Sequence, residues 1–115
     1  MMTKASNRKT NKVEKMAGGA GHVLIQPITE GEELGAHCNM FSEVTLEAGC
    51  EIGYHEHHGE TETYYITQGS GIYSDNGNEF PVEAGDVTFC KDGDAHGLTN
   101  TGSGNLVLTA LILAK

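Results

Sequence analysis

From His22 to Leu113 the chain runs in short apolar-alternating segments, broken by turn residues roughly every eight to twelve positions; that texture points to an all-β fold. Candidate strands cover 22–28, 39–46, 51–57, 62–68, 71–75, 79–82, 86–91, 95–100 and 104–113. Asp75-Asn76-Gly77-Asn78 contains Asn-Gly, the strongest short hairpin signal, because both central positions tolerate positive φ. Ala48-Gly49 and Ala84-Gly85 punctuate in the same way, and Pro27 and Pro81 suit strand ends or edges. Only 29–37, with Glu30-Gly31-Glu32-Glu33-Leu34, reads as a helical turn. Strands this short bury their shared apolar face by closing on themselves. In 115 residues the expected result is a single small barrel or jelly roll.

The longest apolar stretch, Leu106 to Ala114, is interrupted by Thr109 and falls far short of the roughly 18 residues a membrane helix needs. The start is basic and polar without an apolar segment, so it does not read as a secretory signal, and a cytoplasmic protein is expected. Lys4, Arg8, Lys9, Lys12 and Lys15 crowd the head, and beyond them only Lys91 and Lys115 are basic. Of the 16 acidic residues all but Glu14 lie past that head, giving a body that repels nucleic acid and anionic membranes. Residues 1–15 lack apolar periodicity and are expected to form a disordered basic tail, with Met16 to Gly21 as a flexible joint and 16–115 as the barrel domain. Cys38, Cys50 and Cys90 are odd in number and lack C-x-x-C spacing, so they read as small buried thiols.

Chemistry concentrates around His55-Glu56-His57. Residues two apart on a strand face the same way, about 6.5 Å apart. Two imidazoles can therefore converge on one ion at about 2.0–2.1 Å. Glu62 opens the following strand, where a hairpin turn through His58 to Thr61 can return its carboxylate beside them, and His96 can add a nitrogen from across the barrel. Three imidazoles and a carboxylate suit Fe, Mn, Co, Ni, Cu or Zn, whereas Ca and Mg prefer all-oxygen shells. His58 has the opposite parity and is expected to face outward, Glu60 falls in the turn, and His22 and His37 lie far from the cluster. Glu62, Tyr64 and Ile66 share a face. Tyr64 is therefore either a group lining the cavity beside the metal, the one candidate catalytic residue, or a core tyrosine whose hydroxyl reaches the barrel mouth. Tyr54 and Tyr65 are expected outside, and Asn100 is expected to tie the backbone of a turn.

The segment Gly49-x5-His55-x-His57-x4-Glu62-x6-Gly69 resembles the first motif of the cupin family at every fixed position. The segment from Gly85 through Gly93 and His96 to Asn100 resembles the second, with Lys91 where the family usually has proline. Glycine averages roughly 7% of residues and histidine less, so these fixed positions at fixed spacing do not arise from composition. The resemblance implies a single cupin barrel (a jelly roll, or double-stranded β-helix) of the compact single-domain kind. It further implies one mononuclear divalent transition metal on His55, His57, Glu62 and His96, and a homodimer made through the N-terminal strands.

The fold hosts decarboxylases, dioxygenases, isomerases, lyases and plain binding proteins, so it does not choose among them. Arg8 is the only arginine and lies in the head, and Lys91 is the only cation of the barrel body. The ligand set resembles that of oxalate-type decarboxylases, but their usual arginine has no counterpart here. The expectation is a metal-dependent enzyme acting on a small-molecule substrate, with a non-catalytic metal- or ligand-binding barrel as the alternative. A protonatable cavity group outside the ligand set separates the two readings.

Overall fold

The computed structural model describes residues 1–115 as two antiparallel sheets around a common core. The strands are β1 (Asn11–Glu14), β2 (His22–Thr29), β3 (Cys38–Leu46), β4 (Glu51–Glu56), β5 (Glu60–Gln68), β6 (Ser70–Asp75), β7 (Asn78–Glu83), β8 (Val87–Cys90), β9 (Ala95–Thr99) and β10 (Leu106–Ala114). One sheet runs β1-β2-β3-β10-β5-β8 and the other β4-β9-β6-β7. Every strand expected from the alternation is present, and the turn expected within 29–37 is a 3₁₀ turn at Gly31–Leu34. No helix is long and apolar enough to cross a membrane.

The core is drawn from both sheets. Val44, Ile66, Leu106 and Leu108 of the larger sheet meet Ile52, Tyr73, Val82 and Leu98 of the smaller. The alternation is legible in β5, where Glu62, Tyr64 and Ile66 are buried while Tyr65 is exposed. At the β6–β7 hairpin Asn76 and Gly77 both take positive φ (51° and 89°), as Asn-Gly requires. The Asn76 side chain then accepts the Ala95 N–H at 2.9 Å, tying this turn to the start of β9, which carries His96. Asn100 holds a loop, as its motif position suggests. Its amide donates to the carbonyls of Leu46 and Gly104, both at 2.8 Å, while its oxygen accepts the Gly102 N–H.

The head contains more structure than its sequence pattern indicates. Part of the stretch read as tail, Asn11–Glu14, pairs with β2 as β1. Only Val13 of this strand is half-buried, so backbone pairing holds it and no apolar period announces it. The stretch read as a joint packs its backbone across β4, where a Cβ on Gly53 would lie 2.2 Å from the Ala17 carbonyl oxygen. Met16 packs against the core from there.

Candidate metal centre

The β4–β9 ladder places the first two donors. Ile52 faces Leu98 and His55 faces His96, so three steps along β4 match two along β9. This extra residue is a β-bulge at Gly53 and Tyr54, and it resets side-chain parity. Ile52 points into the core, Tyr54 is turned out, and His55 and His57 turn in. Gly53 meets two needs here: its carbonyl accepts the His55 Nδ1–H at 2.7 Å, and its missing side chain admits the crossing backbone. His57 lies one residue past β4, fixed by backbone bonds from its N–H to Asp94 and from the Gly93 N–H to its carbonyl.

The side chains of His55, His57, Glu62 and His96 bring their ligand atoms within 4.8 Å of one another. His57 Nε2 stands 3.1 Å from His55 Nε2, 3.0 Å from His96 Nε2 and 2.9 Å from Glu62 Oε1. His96 Nε2 and Glu62 Oε1 are 3.0 Å apart. Because the Gly53 carbonyl can only accept, neutral His55 keeps its proton on Nδ1 and offers a bare lone pair at Nε2. One proton on His57 Nε2 can satisfy only one of its three close neighbours. This crowd of acceptors is short of donors, and a cation resolves it. Ligands on one ion at about 2.1 Å stand about 3.0 Å apart at right angles and about 4.2 Å apart when opposed. The His57 separations and the His96–Glu62 one match the first, and His55 Nε2 to Glu62 Oε1, at 3.9 Å, is near the second. The donor set and its spacing fit a transition metal.

Electrostatics agree. Burial pushes the Glu62 carboxyl up, but the facing imidazoles of His55 and His96 and the nearby imidazole charges outweigh it and hold the group down to about 2. His55 is raised, chiefly by the facing Glu62 carboxylate. His96, fully buried, is lowered by desolvation, so it favours the neutral form a ligand requires.

A second layer fixes the rings. The Tyr73 hydroxyl lies 2.9 Å from His96 Nδ1, and the Tyr64 ring stacks on the His96 imidazole at 4.8 Å and 18°. Glu60 Oε2 stands 3.5 Å from His57 Nδ1. Each imidazole thus has a polar partner at its outer nitrogen. The sequence alone does not single out Tyr73, which has apolar Ile72 beside it on β6, and its reach to His96 depends on the β6–β9 pairing. Such partners orient the ligand and typically contribute 10–100-fold to metal affinity. Tyr73→Phe is therefore expected to weaken metal binding by about that factor with little change in fold, as measured by competition with a chromogenic chelator.

A cavity of about 250 Å³ opens beside His55, His57 and Glu62, walled mainly by apolar residues such as Met16, Ile25, Met40 and Ile112. Tyr64 lines it, but its hydroxyl is 3.5 Å from His96 Nε2, long for a hydrogen bond. Burial, with the Glu62 charge adding to it, pushes that hydroxyl well up, so it stays protonated. Glu60 also lines the cavity, in contrast to its reading as a turn residue: β5 starts at Glu60, which pairs with Ala114. His58 faces outward against Glu56, His22 pairs with Glu47, and His37 is exposed, as expected. Lys91 is exposed and absent from the cavity wall. All three cysteines are free, and burial raises the Cys90 thiol to about 11, far from a reactive thiolate.

Residues 42–112 match the family profile of the cupin domain. The chain belongs to the cupin family. It is 34% identical over 113 residues to an oxalate-binding protein of Thermotoga maritima, covering 98% of this cupin and 93% of that protein. It is similar, with a TM-score of 0.95 and 34% identity over the full length of both chains, to the crystal structure of a predicted oxalate decarboxylase from the same organism. An RmlC-like cupin from Shewanella frigidimarina shares the fold at a TM-score of 0.74 and 16% identity, over 99% of this chain and 90% of that one.

Proposed function

We propose that this cupin holds one divalent transition metal through His55, His57, Glu62 and His96 and acts as an enzyme on a small oxygen-bearing molecule in the adjoining cavity. The observation that carries the reading is the convergence of three imidazole nitrogens and one carboxylate oxygen with too few protons to share. A cation there supplies the positive charge that attracts and polarises carboxylate or hydroxyl oxygens. The chain's own residues do the rest. Met16, Ile25, Met40 and Ile112 exclude water, and Tyr64 offers a protonated hydroxyl that can donate but not act as a base. Glu60 supplies a carboxylate outside the ligand set that can take a proton from a bound molecule.

That carboxylate favours catalysis. The name of the Thermotoga maritima relative supports the second reading, a binding protein without turnover. Metal-reconstituted protein incubated with oxalate and simple hydroxy and oxo acids, followed for carbon dioxide release, oxygen uptake and loss of the acid, separates the two. Turnover that disappears on chelation supports the enzyme; saturable binding with no product supports the binding barrel.

A homodimer belongs to the same proposal. Its support lies away from the N-terminal strands that the resemblance implies, on an apolar outer face at the β10-β5-β8 side of the larger sheet, where exposed Tyr65 sits opposite Val87 and exposed Phe89 and Leu113 extend the patch. Sedimentation velocity is expected to give the dimer mass for the native chain and the monomer mass for Phe89→Glu.

A further inference from the structure

We infer that the cavity beside the metal centre selects an acid bearing a hydroxyl next to its carboxylate and an apolar body, in preference to a bare dianion such as oxalate. This rests on the metal reading above and adds the ligand's chemical class.

Three features of the cavity carry it. The walls are overwhelmingly apolar: Met16, Val23, Ile25, Met40, Val44 and Ile112 face a space of about 250 Å³. Oxalate has no apolar surface to set against them, whereas a phenyl or branched aliphatic group gains from burial there. Next, no lysine or arginine lines the space, so the far end of a dianion has no cationic partner. Finally, the wall's one carboxylate apart from Glu62 is Glu60, half-buried, with Oε2 3.5 Å from His57 Nδ1. A second ligand carboxylate turned that way meets a like charge, while a hydroxyl finds an acceptor 3.5 Å from the ligand cluster. A site built to accept a hydroxyl's proton rejects the analogue that lacks the hydroxyl. Glu60 is thus assigned as a specificity-determining residue.

Oxalate, mandelate and phenylacetate separate these contributions. Mandelate has the apolar ring, the hydroxyl and one carboxylate; phenylacetate lacks only the hydroxyl. Calorimetric titration of metal-reconstituted protein is expected to show mandelate binding at least about tenfold tighter than oxalate, from burial of the ring. Phenylacetate should also bind more weakly than mandelate by at least about fivefold, from loss of one hydrogen bond to a charged acceptor. In Glu60→Leu the mandelate preference over phenylacetate disappears. In Glu60→Gln, which keeps an acceptor and removes the charge, that preference survives and oxalate binding strengthens. Metal content is measured on every sample. Metal-loaded protein that binds oxalate as tightly as mandelate, or an unchanged preference in Glu60→Leu, overturns this assignment and leaves the metal centre standing. Protein that takes up no metal overturns both.

Discussion

Gly53→Ala is expected to lower stability by about 3 kcal/mol, near the upper end for an overpacked site. The cause is steric. A Cβ at this position would sit 2.2 Å from the Ala17 carbonyl oxygen and 2.7 Å from the Gly19 nitrogen, both backbone atoms that no rotamer change can move. Either the crossing segment lifts away, taking Met16 from the cavity wall, or the bulge in β4 shifts and carries His55 with it. Urea unfolding should show the loss, with a fall in melting temperature on the order of 10 °C. Gly104→Ala is the control. A Cβ there meets nothing within 4 Å, so a change below about 0.5 kcal/mol is expected. A Gly53→Ala protein as stable as the native one, with metal binding intact, would show that the close backbone crossing does not shape this site.

Metal loading has the other large effect. The folded state gathers the four donors and the unfolded chain does not, so binding stabilises the fold by mass action. At a free metal concentration about 1,000 times the dissociation constant the gain is about 4 kcal/mol. For a chain of this size the melting temperature should rise by on the order of 10 °C over the chelator-treated protein. His57→Ala removes the donor that touches the other three and should cancel most of that rise. Calorimetric scans of native and variant protein, each with and without metal, test this. An identical rise in both would place the stabilising ion elsewhere on this acidic chain.

The strands and the ligand cluster were legible because each depends on a local rule. Alternation of period two marks the buried face of β5, and Asn76-Gly77 marks a turn whatever surrounds it. Strand spacing marks His55, His57 and Glu62, the resemblance to the cupin motifs adds His96, and the fold brings these four side chains together. What sequence pattern could not show depends on contacts between distant segments. β1 is polar and stands on backbone pairing alone. Gly53 looks like any strand glycine until the 16–19 backbone crosses it. Tyr73 reaches His96 only through the register of β6 on β9, and Glu60 joins the cavity only because β5 starts earlier than its alternation suggests.

The central claim is one transition metal on these four side chains, and direct elemental measurement tests it best. Untagged protein, purified without chelator and reconstituted with iron, manganese, cobalt, nickel, copper or zinc, is assayed by mass spectrometry beside a His57→Ala/His96→Ala double variant. The account predicts close to one metal per chain in the native protein and loss of most of it in the variant. No metal above the variant's level, even after reconstitution, would contradict the account and leave a metal-free ligand-binding cupin in its place.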